Sequence, residues 1–359
     1  MTQDDIHIRR WLYPAAWLYG CVTSLRNKLF DWGWLQSRSF PVPTVCIGNL
    51  AVGGTGKTPH TEYLIRLLQD EGLQVATLSR GYKRRTRGFR LADTTSTAAD
   101  IGDEPAQMKR KFPQAVVSVD EHRCHGVEQL LRLEHPHVDV ILLDDAYQHR
   151  HLQAGLNLLL TDCHRLLTDD ALLPAGRLRE SVSGKDRAQI VVVTKCPETI
   201  QPIDFNIIRK KLHLYPYQQL YFSRMNYGQL TPLFQGQPHK WNGKEEVLLL
   251  AGIARPEPLI EYLQSRAKRV TPLLYPDHHT FSPQELKEIA RHFQQLPADR
   301  RIVVTTEKDA ARLRDEASLS PQLKAYCYTL PITIEILQNK QDTFNQNILA
   351  YVKANPRNG

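Results

Sequence analysis

The chain has 359 residues, of which 42% are hydrophobic and 23% are charged, and this composition excludes a disordered or fibrous protein. A chain of this length favours two domains over one. The net charge of +8 favours an anionic partner, although nucleotides, nucleic acids, acidic lipid headgroups and phosphorylated substrates would satisfy it equally well. Six widely spaced cysteines without a CxxC pair argue against a zinc site or a disulfide framework and favour reduced thiols in the cytoplasm.

The first 36 residues are rich in aromatic and basic side chains, and they hold four of the five tryptophans. An aromatic amphipathic helix with basic flanks is typical of a segment that lies in a membrane interface. The alternative is a terminal helix that packs on the domain behind it. The apolar run Trp11–Val22 is interrupted by Pro14 and is too short for a transmembrane span.

From Val42 onward, apolar runs alternate with helical patterns. We expect strands over residues 42–50, 74–79, 115–119, 138–144, 156–161 and 190–194, with helices over 58–69, 105–112 and 126–133. This alternation predicts βαβ units and a parallel sheet that helices cover on both faces. A polar stretch over 226–244 predicts a boundary, beyond which a second set of strands and helices ends in a helix over 343–353.

A glycine-rich segment lies between the first predicted strand and the first predicted helix. It reads Ala51-Val52-Gly53-Gly54-Thr55-Gly56-Lys57-Thr58. In this context the pattern predicts a P-loop, in which glycines allow backbone N–H groups to surround phosphate oxygens; the alternative is an ordinary glycine-rich turn. We expect Lys57 to reach the β and γ phosphates of ATP and the Thr58 hydroxyl to hold Mg²⁺. Ala51 stands where the usual motif has its first glycine.

Paired acids follow the predicted strand over 138–144. Asp144 and Asp145 stand where that strand ends, and ligands bind at strand ends in open parallel sheets. A P-loop protein needs a carboxylate on a neighbouring strand to orient Mg²⁺, so these residues are predicted to serve the ion. A capping turn is the alternative for adjacent aspartates at this position.

Two further segments are candidates for catalysis. Asp103 lies at the predicted start of a helix, where an acid is either a capping residue or a base that accepts the proton of an attacking hydroxyl. His278 and His279 follow a strand of the second domain. Consecutive residues of an extended chain point in opposite directions, so at most one of these histidines is expected to face a shared cleft.

Nine blocks of the sequence resemble, in order, those of the tetraacyldisaccharide 4'-kinase family of Gram-negative bacteria. They are GNLAVGGTGKTP (48–59), LSRGYKRR (78–85), GDEP (102–105), LLDDAYQHR (142–150), LLPAGRLRE (172–180), VVTK (192–195), AGIARPE (251–257), PDHHTF (276–281) and TTEKDAARL (305–313). That family also lacks the first P-loop glycine, so Ala51 fits the resemblance. The resemblance implies transfer of the γ-phosphate of ATP to the 4'-hydroxyl of an acylated disaccharide 1-phosphate lipid, forming lipid IVA in lipid A biosynthesis at the cytoplasmic face of the inner membrane.

The resemblance also implies roles for particular residues. Asp103 assists the sugar hydroxyl, and a histidine of the pair His278–His279 tunes it. Asp144, Asp145 and Glu180 serve the magnesium shell, with Gln148 nearby.

The expected architecture combines these inferences. The predicted fold class is α/β, with a parallel P-loop sheet sandwich and a smaller α/β/α domain. Residues 1–36 are predicted as a membrane-associating amphipathic segment, 37–225 as the P-loop kinase core and 226–359 as the second domain with linker strands and a C-terminal helix. Nucleic acid is not expected as a partner. The alternative function is a membrane-associated P-loop ATPase that acts on a protein partner.

Overall fold

The computed structural model describes residues 8–253, 255–277, 279, 281–314 and 319–355. The chain divides into two compact units. Unit 1 comprises residues 1–95, 108–226 and 334–359, and unit 2 comprises residues 96–107 and 227–333.

Helices and strands alternate along most of the chain. The helices are α1 (Tyr13–Asp31), α2 (Lys57–Asp70), α3 (Ala98–Ile101), α4 (Asp103–Lys111), α5 (Arg123–Leu131), α6 (Pro202–Leu212), α7 (Glu257–Arg266), α8 (Pro283–Gln295), α9 (Glu307–Leu313), α10 (Pro321–Lys324) and α11 (Gln341–Ala354). The strands are β1 (Thr44–Asn49), β2 (Val75–Ser79), β3 (Arg90–Leu91), β4 (Val116–Val119), β5 (Val140–Asp144), β6 (Leu156–Asp162), β7 (Ile190–Thr194), β8 (Gln219–Tyr227), β9 (Thr231–Pro232), β10 (Glu246–Ala251), β11 (Arg269–Leu274), β12 (Arg301–Thr306), β13 (Cys327–Leu330) and β14 (Ile332–Ile336).

The large sheet has the strand order β14-β8-β7-β6-β1-β5-β2-β4-β3. All pairs from β8 to β4 are parallel, and β3 pairs antiparallel with β4. Every residue of β1 and β5 is buried, as expected for strands that helices cover on both faces. In the register of these strands Ile47 lies opposite Asp144, so β5 ends two residues before the end of β1 at Asn49.

A smaller sheet forms the core of unit 2, with the order β11-β10-β12-β13-β9. Its pairs are parallel except for β13 with β9. Apolar clusters lie on both faces of β10, whose residues alternate between a cluster around Leu248 and Leu250 and another around Val247 and Leu249. Two parallel sheets with covering helices confirm the predicted α/β fold class.

The division into units differs from the predicted domain boundaries in two places. Residues 334–359, expected in the second domain, belong to unit 1. The reason is tertiary: β14 joins the large sheet beside β8, and the Tyr351 hydroxyl on α11 lies 3.2 Å from the carbonyl oxygen of Thr44, to which it donates a hydrogen bond. Residues 96–107, expected in the kinase core, belong to unit 2.

One face of helix α1 packs against the rest of unit 1, and the opposite face is exposed. Pro14 lies in its first turn, where proline is tolerated because the N–H that it lacks would have no helical partner. Ala16, Gly20 and Phe30 are buried. The opposite face and the flanking residues expose large apolar side chains, namely Trp11, Tyr13, Trp17, Leu18, Val22, Leu25, Trp32 and Trp34. Among the described residues, no helix combines the length and apolar character that crossing a bilayer requires.

Candidate active site

The segment 51–58 joins the end of β1 to the start of α2. Gly53 and Gly56 have φ angles of 112° and 84°, a region that favours glycine, whereas Gly54 does not have a positive φ. An added Cβ at Gly56 would also require the terminal methyl group of Met225 to move. Ala51 is not among the residues with positive φ, which explains why the loop accepts alanine there.

Side chains from neighbouring strands fix the shape of this loop. Asn49 donates a hydrogen bond from Nδ2 to the hydroxyl of Thr55 at 2.8 Å, and the Thr194 hydroxyl donates to the carbonyl of Thr55 at 2.9 Å. The ammonium of Lys195 donates to the carbonyl of Gly54. These contacts hold the loop before any ligand binds, which reduces the ordering cost of binding phosphate.

A buried histidine ties the first turn of α2 to the large sheet. His60 shares hydrogen bonds with the carbonyl of Gly56 at 2.7 Å and with the hydroxyl of Ser223 at 2.9 Å. Burial lowers the pKa of His60 to about 4. The imidazole is therefore neutral at physiological pH and acts as a structural link.

The P-loop lysine and the second of the paired acids meet at the edge of the large sheet. Nζ of Lys57 lies 3.8 Å from Oδ1 of Asp145, and Nη2 of Arg179 lies 2.8 Å from the same oxygen. Burial raises the pKa of the Asp145 carboxyl, but Lys57, Arg179 and Arg123 outweigh burial and hold that pKa below its ordinary value. Asp145 is thus ionised at neutral pH beside more than one cation.

The first of the paired acids is almost completely buried, with 1% of Asp144 exposed. The Thr61 hydroxyl on α2 lies 3.4 Å from its Oδ1. Among the described residues no group of three or more His, Cys, Asp or Glu side chains is arranged to hold a metal. A magnesium ion bound with a nucleotide needs only one or two carboxylates, since phosphates and waters complete its shell. The donor set of Asp144, Asp145 and the Thr58 hydroxyl therefore suits such an ion.

Glu180 and Gln148 lie together but are already engaged by protein groups. Glu180 is buried and accepts hydrogen bonds from Arg187 at 2.8 Å, from Gln148 at 3.2 Å and from Asn27 at 2.9 Å. The side-chain amide of Gln148 also donates to the carbonyl of Asn49 at 2.8 Å. Because both Glu180 oxygens accept hydrogen bonds from side chains, these contacts favour an orienting role over direct contact with a metal.

Helix α1 contacts this same group of residues. The Tyr19 hydroxyl donates to the carbonyl of Arg179 at 2.8 Å, and Arg26 donates to the carbonyl of Gln148 at 3.2 Å. Together with the bond from Asn27 to Glu180, they place one face of α1 against the segment that supplies Arg179. The predicted membrane-associating helix is therefore also part of the wall of the nucleotide-binding unit.

Two cations near the paired acids were not recognised from the sequence. Arg179 follows a loop with no regular element, so its contact with Asp145 depends on tertiary structure. Arg123 begins α5 just beyond the end of β4, and its position after a strand end is the signal that could have identified it. Arg123 is buried, and its Nε and Nη2 have no hydrogen-bond partner among the described residues. Burial lowers the pKa of Arg123 to about 10, against the opposing charges of Asp144 and Asp145, so it stays cationic.

The predicted base lies in unit 2, whereas the P-loop lies in unit 1. Asp103 begins α4 and forms an ion pair with Arg312 of α9, whose Nε donates to Oδ1 at 3.1 Å and whose Nη2 donates to Oδ2. His279 shares a hydrogen bond of 2.9 Å with Glu285 through Nε2, and its carbonyl oxygen accepts from Arg312 at 3.0 Å. His278 lies outside the described residues. Asp103 and the backbone of His279 are therefore joined through one arginine.

A phosphate loop on the central strand of a mostly parallel sheet, with a strand-end acid beside its lysine, defines a nucleotide-binding protein of the P-loop class. The sequence profile of the tetraacyldisaccharide-1-P 4'-kinase family matches residues 8–353. The chain belongs to this family.

Full-length relatives and a solved structure agree with the match. The tetraacyldisaccharide 4'-kinase of Bacteroides thetaiotaomicron is 55% identical, with 100% of this chain and 97% of the relative covered. Its namesake from Bacteroides fragilis (strain YCH46) is 57% identical with the same coverage, and that of Flavobacterium johnsoniae is 47% identical with 97% and 98% covered. The crystal structure of LpxK from Aquifex aeolicus in complex with ATP has a TM-score of 0.74 and 27% identity, over 96% of this chain and 99% of that one.

Proposed function

We propose that this chain transfers the γ-phosphate of ATP to the 4'-hydroxyl of a tetraacyldisaccharide 1-phosphate, the step of lipid A biosynthesis that forms lipid IVA. The observation that carries the proposal is the family match over residues 8–353, together with the pairing of Lys57 and Asp145 beside the P-loop. The names of the relatives supply the acceptor, and the loop geometry supports the donor.

The phosphate-donor side of the reaction is assigned to unit 1. Lys57 and the backbone N–H groups of the P-loop bind the phosphates of ATP, and the charges of Arg179 and Arg123 favour the same anion. Asp144, Asp145 and the Thr58 hydroxyl are the residues that would hold Mg²⁺. That ion supplies charge neutralisation of the β and γ phosphate oxygens when it is bound. Glu180 and Gln148 fix the position of neighbouring groups.

The acceptor side is assigned to unit 2. Asp103 accepts the proton of the 4'-hydroxyl group while the oxygen of that hydroxyl attacks the γ-phosphorus. ADP then leaves with the electrons of the broken bond. A carboxylate suits this task because it is ionised at neutral pH and can be reached by a sugar hydroxyl at a helix start. A histidine of the pair His278–His279 is the proposed partner that tunes Asp103.

The proposed site of action is the cytoplasmic face of the bacterial inner membrane, where the acylated substrate is found. The support is the exposure of the tryptophans in and beside α1, of which Trp11 is 77% exposed, Trp17 72% and Trp34 77%. Tryptophan side chains at this density favour the headgroup layer of a bilayer. The basic loop over 80–90 is a second proposed contact, to acidic lipid or to the 1-phosphate of the substrate.

The experiment that tests the proposal combines γ-labelled ATP, Mg²⁺ and purified tetraacyldisaccharide 1-phosphate in mixed micelles. We expect label in the lipid fraction that depends on the acceptor and forms at a greatly reduced rate in Lys57→Met. Hydrolysis of ATP at a normal rate with no labelled lipid would contradict the proposal and favour an ATPase that acts on a protein partner.

A further inference from the structure

The guanidinium group of Arg312 donates hydrogen bonds to both oxygens of the Asp103 carboxylate. Nε of Arg312 donates to Oδ1 at 3.1 Å, while Nη2 donates to Oδ2. This is the bidentate geometry in which arginine binds carboxylates most strongly, and it fixes the plane of the carboxylate as well as its position. The side chains are largely buried, with 8% of Arg312 and 12% of Asp103 exposed, so water screens the pair weakly.

Arg312 is itself held in place by other groups of unit 2. Its Nη1 donates to the carbonyl of His279 at 3.0 Å and lies 3.5 Å from Oδ1 of Asp309. Asp309 is fully buried and accepts hydrogen bonds from the Thr306 hydroxyl at 2.7 Å and from the backbone N–H of Gly252 at 2.9 Å. The guanidinium therefore cannot follow Asp103 freely, and its position is set by the end of β12 and by α9.

Both negatively and positively charged groups of unit 2 lie near Asp103. Its own segment carries Glu104 beside it, and a neighbouring acid disfavours a further negative charge. Asp100, in the preceding short helix, forms a capping box with Thr97. Arg312 is the cation in direct contact, with Asp309 behind it. The imidazole of His279 is engaged with Glu285. The contact with the Arg312 guanidinium therefore favours the ionised form of the Asp103 carboxylate.

We propose that Arg312 is a positioning residue for the phosphoryl transfer, which aims the carboxylate of Asp103 and favours its ionised form. This inference rests on the proposed function of Asp103 as the base. Arg312 touches neither nucleotide nor sugar in this scheme. When Asp103 takes the proton of the 4'-hydroxyl, the ion pair weakens, and the unbalanced guanidinium favours return of that proton to water once the phosphorylated sugar has formed.

The test is the pH dependence of turnover for Arg312→Gln and Arg312→Lys, with Arg314→Gln as the matched control. Arg314 lies just beyond α9 and donates from Nε to the carbonyl of Leu233, so its loss removes an arginine from the same segment without touching Asp103. We expect the acidic limb of the kcat/KM profile of Arg312→Gln to move to higher pH by about one unit or more, since a contacting cation stabilises a carboxylate by that amount. Arg314→Gln should keep the limb of the parent protein.

Arg312→Lys separates the effect of the charge from the effect of the bidentate geometry. It also tests the positioning role of Arg312 if Arg312→Gln does not fold. Lysine keeps the charge but cannot make the bidentate contact. We expect a smaller shift of the limb, a lower kcat on the plateau and an unchanged KM for ATP. A kcat equal to that of the parent protein would overturn the positioning role.

Two results separate this inference from the proposed function. If Asp103→Asn abolishes transfer while Arg312→Gln lowers activity equally at every pH, Arg312 is only structural and the inference fails alone. If Asp103→Asn retains the transfer rate, the assignment of the base fails and the inference about Arg312 fails with it. Thermal unfolding of each variant, measured in parallel, identifies losses that come from folding.

Discussion

The ammonium nitrogen of Lys57 lies 3.8 Å from Oδ1 of Asp145, so the first residue of α2 meets the residue that follows β5. Arg179 contacts the same carboxylate at 2.8 Å. More than one cation therefore shares a single acid at the edge of the sheet where the phosphate loop lies. A polyphosphate requires an excess of positive charge at its binding site. The contacts with Asp145 hold the side chains of Lys57 and Arg179 beside the phosphate loop.

Replacement of Lys57 by methionine should lower kcat by about two to three orders of magnitude, because a preorganised cation that meets transferring phosphate is removed. Methionine keeps much of the length and apolar contact of the lysine stem, so the fold should persist. Steady-state kinetics of phosphate transfer to the lipid is the measurement.

Lys353→Met is the matched control for that variant. Lys353 pairs with Glu71 on an exposed surface of the same unit, and such pairs contribute little. It should keep the parent rate. If Lys57→Met also turns over normally, the loop does not bind phosphate through its lysine.

Asp103→Asn should lower kcat by about two to four orders of magnitude, the usual contribution of a general base, while ATP still binds. The amide retains the size of the carboxylate but cannot accept the proton of the sugar hydroxyl. Binding of a fluorescent ATP analogue and the rate of lipid phosphorylation should be measured together. Glu104→Gln, one residue further along α4, serves as the control for charge loss at this helix start, and equal losses in both variants would argue for a general electrostatic effect.

The sequence predicted the parts of the site that local pattern determines. A glycine-rich loop between strand and helix identified Lys57, and paired acids at a strand end identified Asp145, because parallel strands bring such ends to one edge. The contacts of Arg179 and Arg312 could not be foreseen, since both arise from residues far apart in the chain. Glu180 was expected in the magnesium shell, and no pattern in the sequence reveals that Asn27, Gln148 and Arg187 already bind it.

The exposed aromatic side chains of α1 and its flanking residues should determine binding to membranes. Combined replacement of Trp11, Trp17, Trp32 and Trp34 by serine should weaken partition into anionic vesicles by at least about tenfold, given the apolar area each ring would bury. The inner face of the helix is untouched, so turnover of a short-chain soluble acceptor should persist. Vesicle co-sedimentation measures the partition.

A second exposed aromatic pair provides the control for that experiment. Tyr215 and Tyr217 stack with ring centroids 5.7 Å apart and are 50% and 57% exposed, away from α1 in the sequence. Their replacement by serine should leave partition unchanged. Equal loss in both variants would mean that exposed aromatic area in general, and not α1, causes binding.

A fall in pH should lower the free energy of unfolding of unit 1, because the unfolded chain binds a proton at His60. The pKa of His60 is about 4 in the folded protein against an ordinary value of 6.5, so the unfolded chain binds a proton that the folded protein does not. The stability that depends on this group is complete above pH 6.5 and is lost as the pH falls from 6.5 towards 4. Between pH 7 and pH 5 the loss from His60 amounts to about 2 kcal/mol.

Chemical denaturation at both pH values checks this expectation. His60→Gln should reduce the pH-dependent loss by about 2 kcal/mol, whereas His137→Gln, which replaces an exposed histidine, should not. Some dependence should remain in His60→Gln, because burial also lowers the pKa of His149 to about 4. An unchanged loss in His60→Gln would show that the pKa of His60 is the same in the folded and the unfolded protein.

The bounds of helices and strands were predictable where the spacing of hydrophobic residues and the positions of helix-breaking or strand-breaking residues indicate the same element. β7 was expected over 190–194 and is found there, and α2 begins one residue before its predicted start. The missed elements include β8, in which only Tyr221, Phe222 and Ser223 are buried, α6, and α9, a short helix of seven residues that carries Arg312. The return of α11 to unit 1 was also missed, because it depends on contacts such as that of Tyr351 with Thr44.

The most direct test of the central claim is the position of the phosphate in the product. The full-length protein should be incubated with ATP, Mg²⁺ and tetraacyldisaccharide 1-phosphate, and the isolated lipid should be analysed by mass spectrometry and phosphorus–proton correlation NMR. The account predicts one added phosphate, bonded to the oxygen at the 4' position, and its formation at a rate at least about a hundredfold lower in Lys57→Met. Consumption of ATP with no phosphorylated lipid, or a phosphate at another hydroxyl, would contradict it.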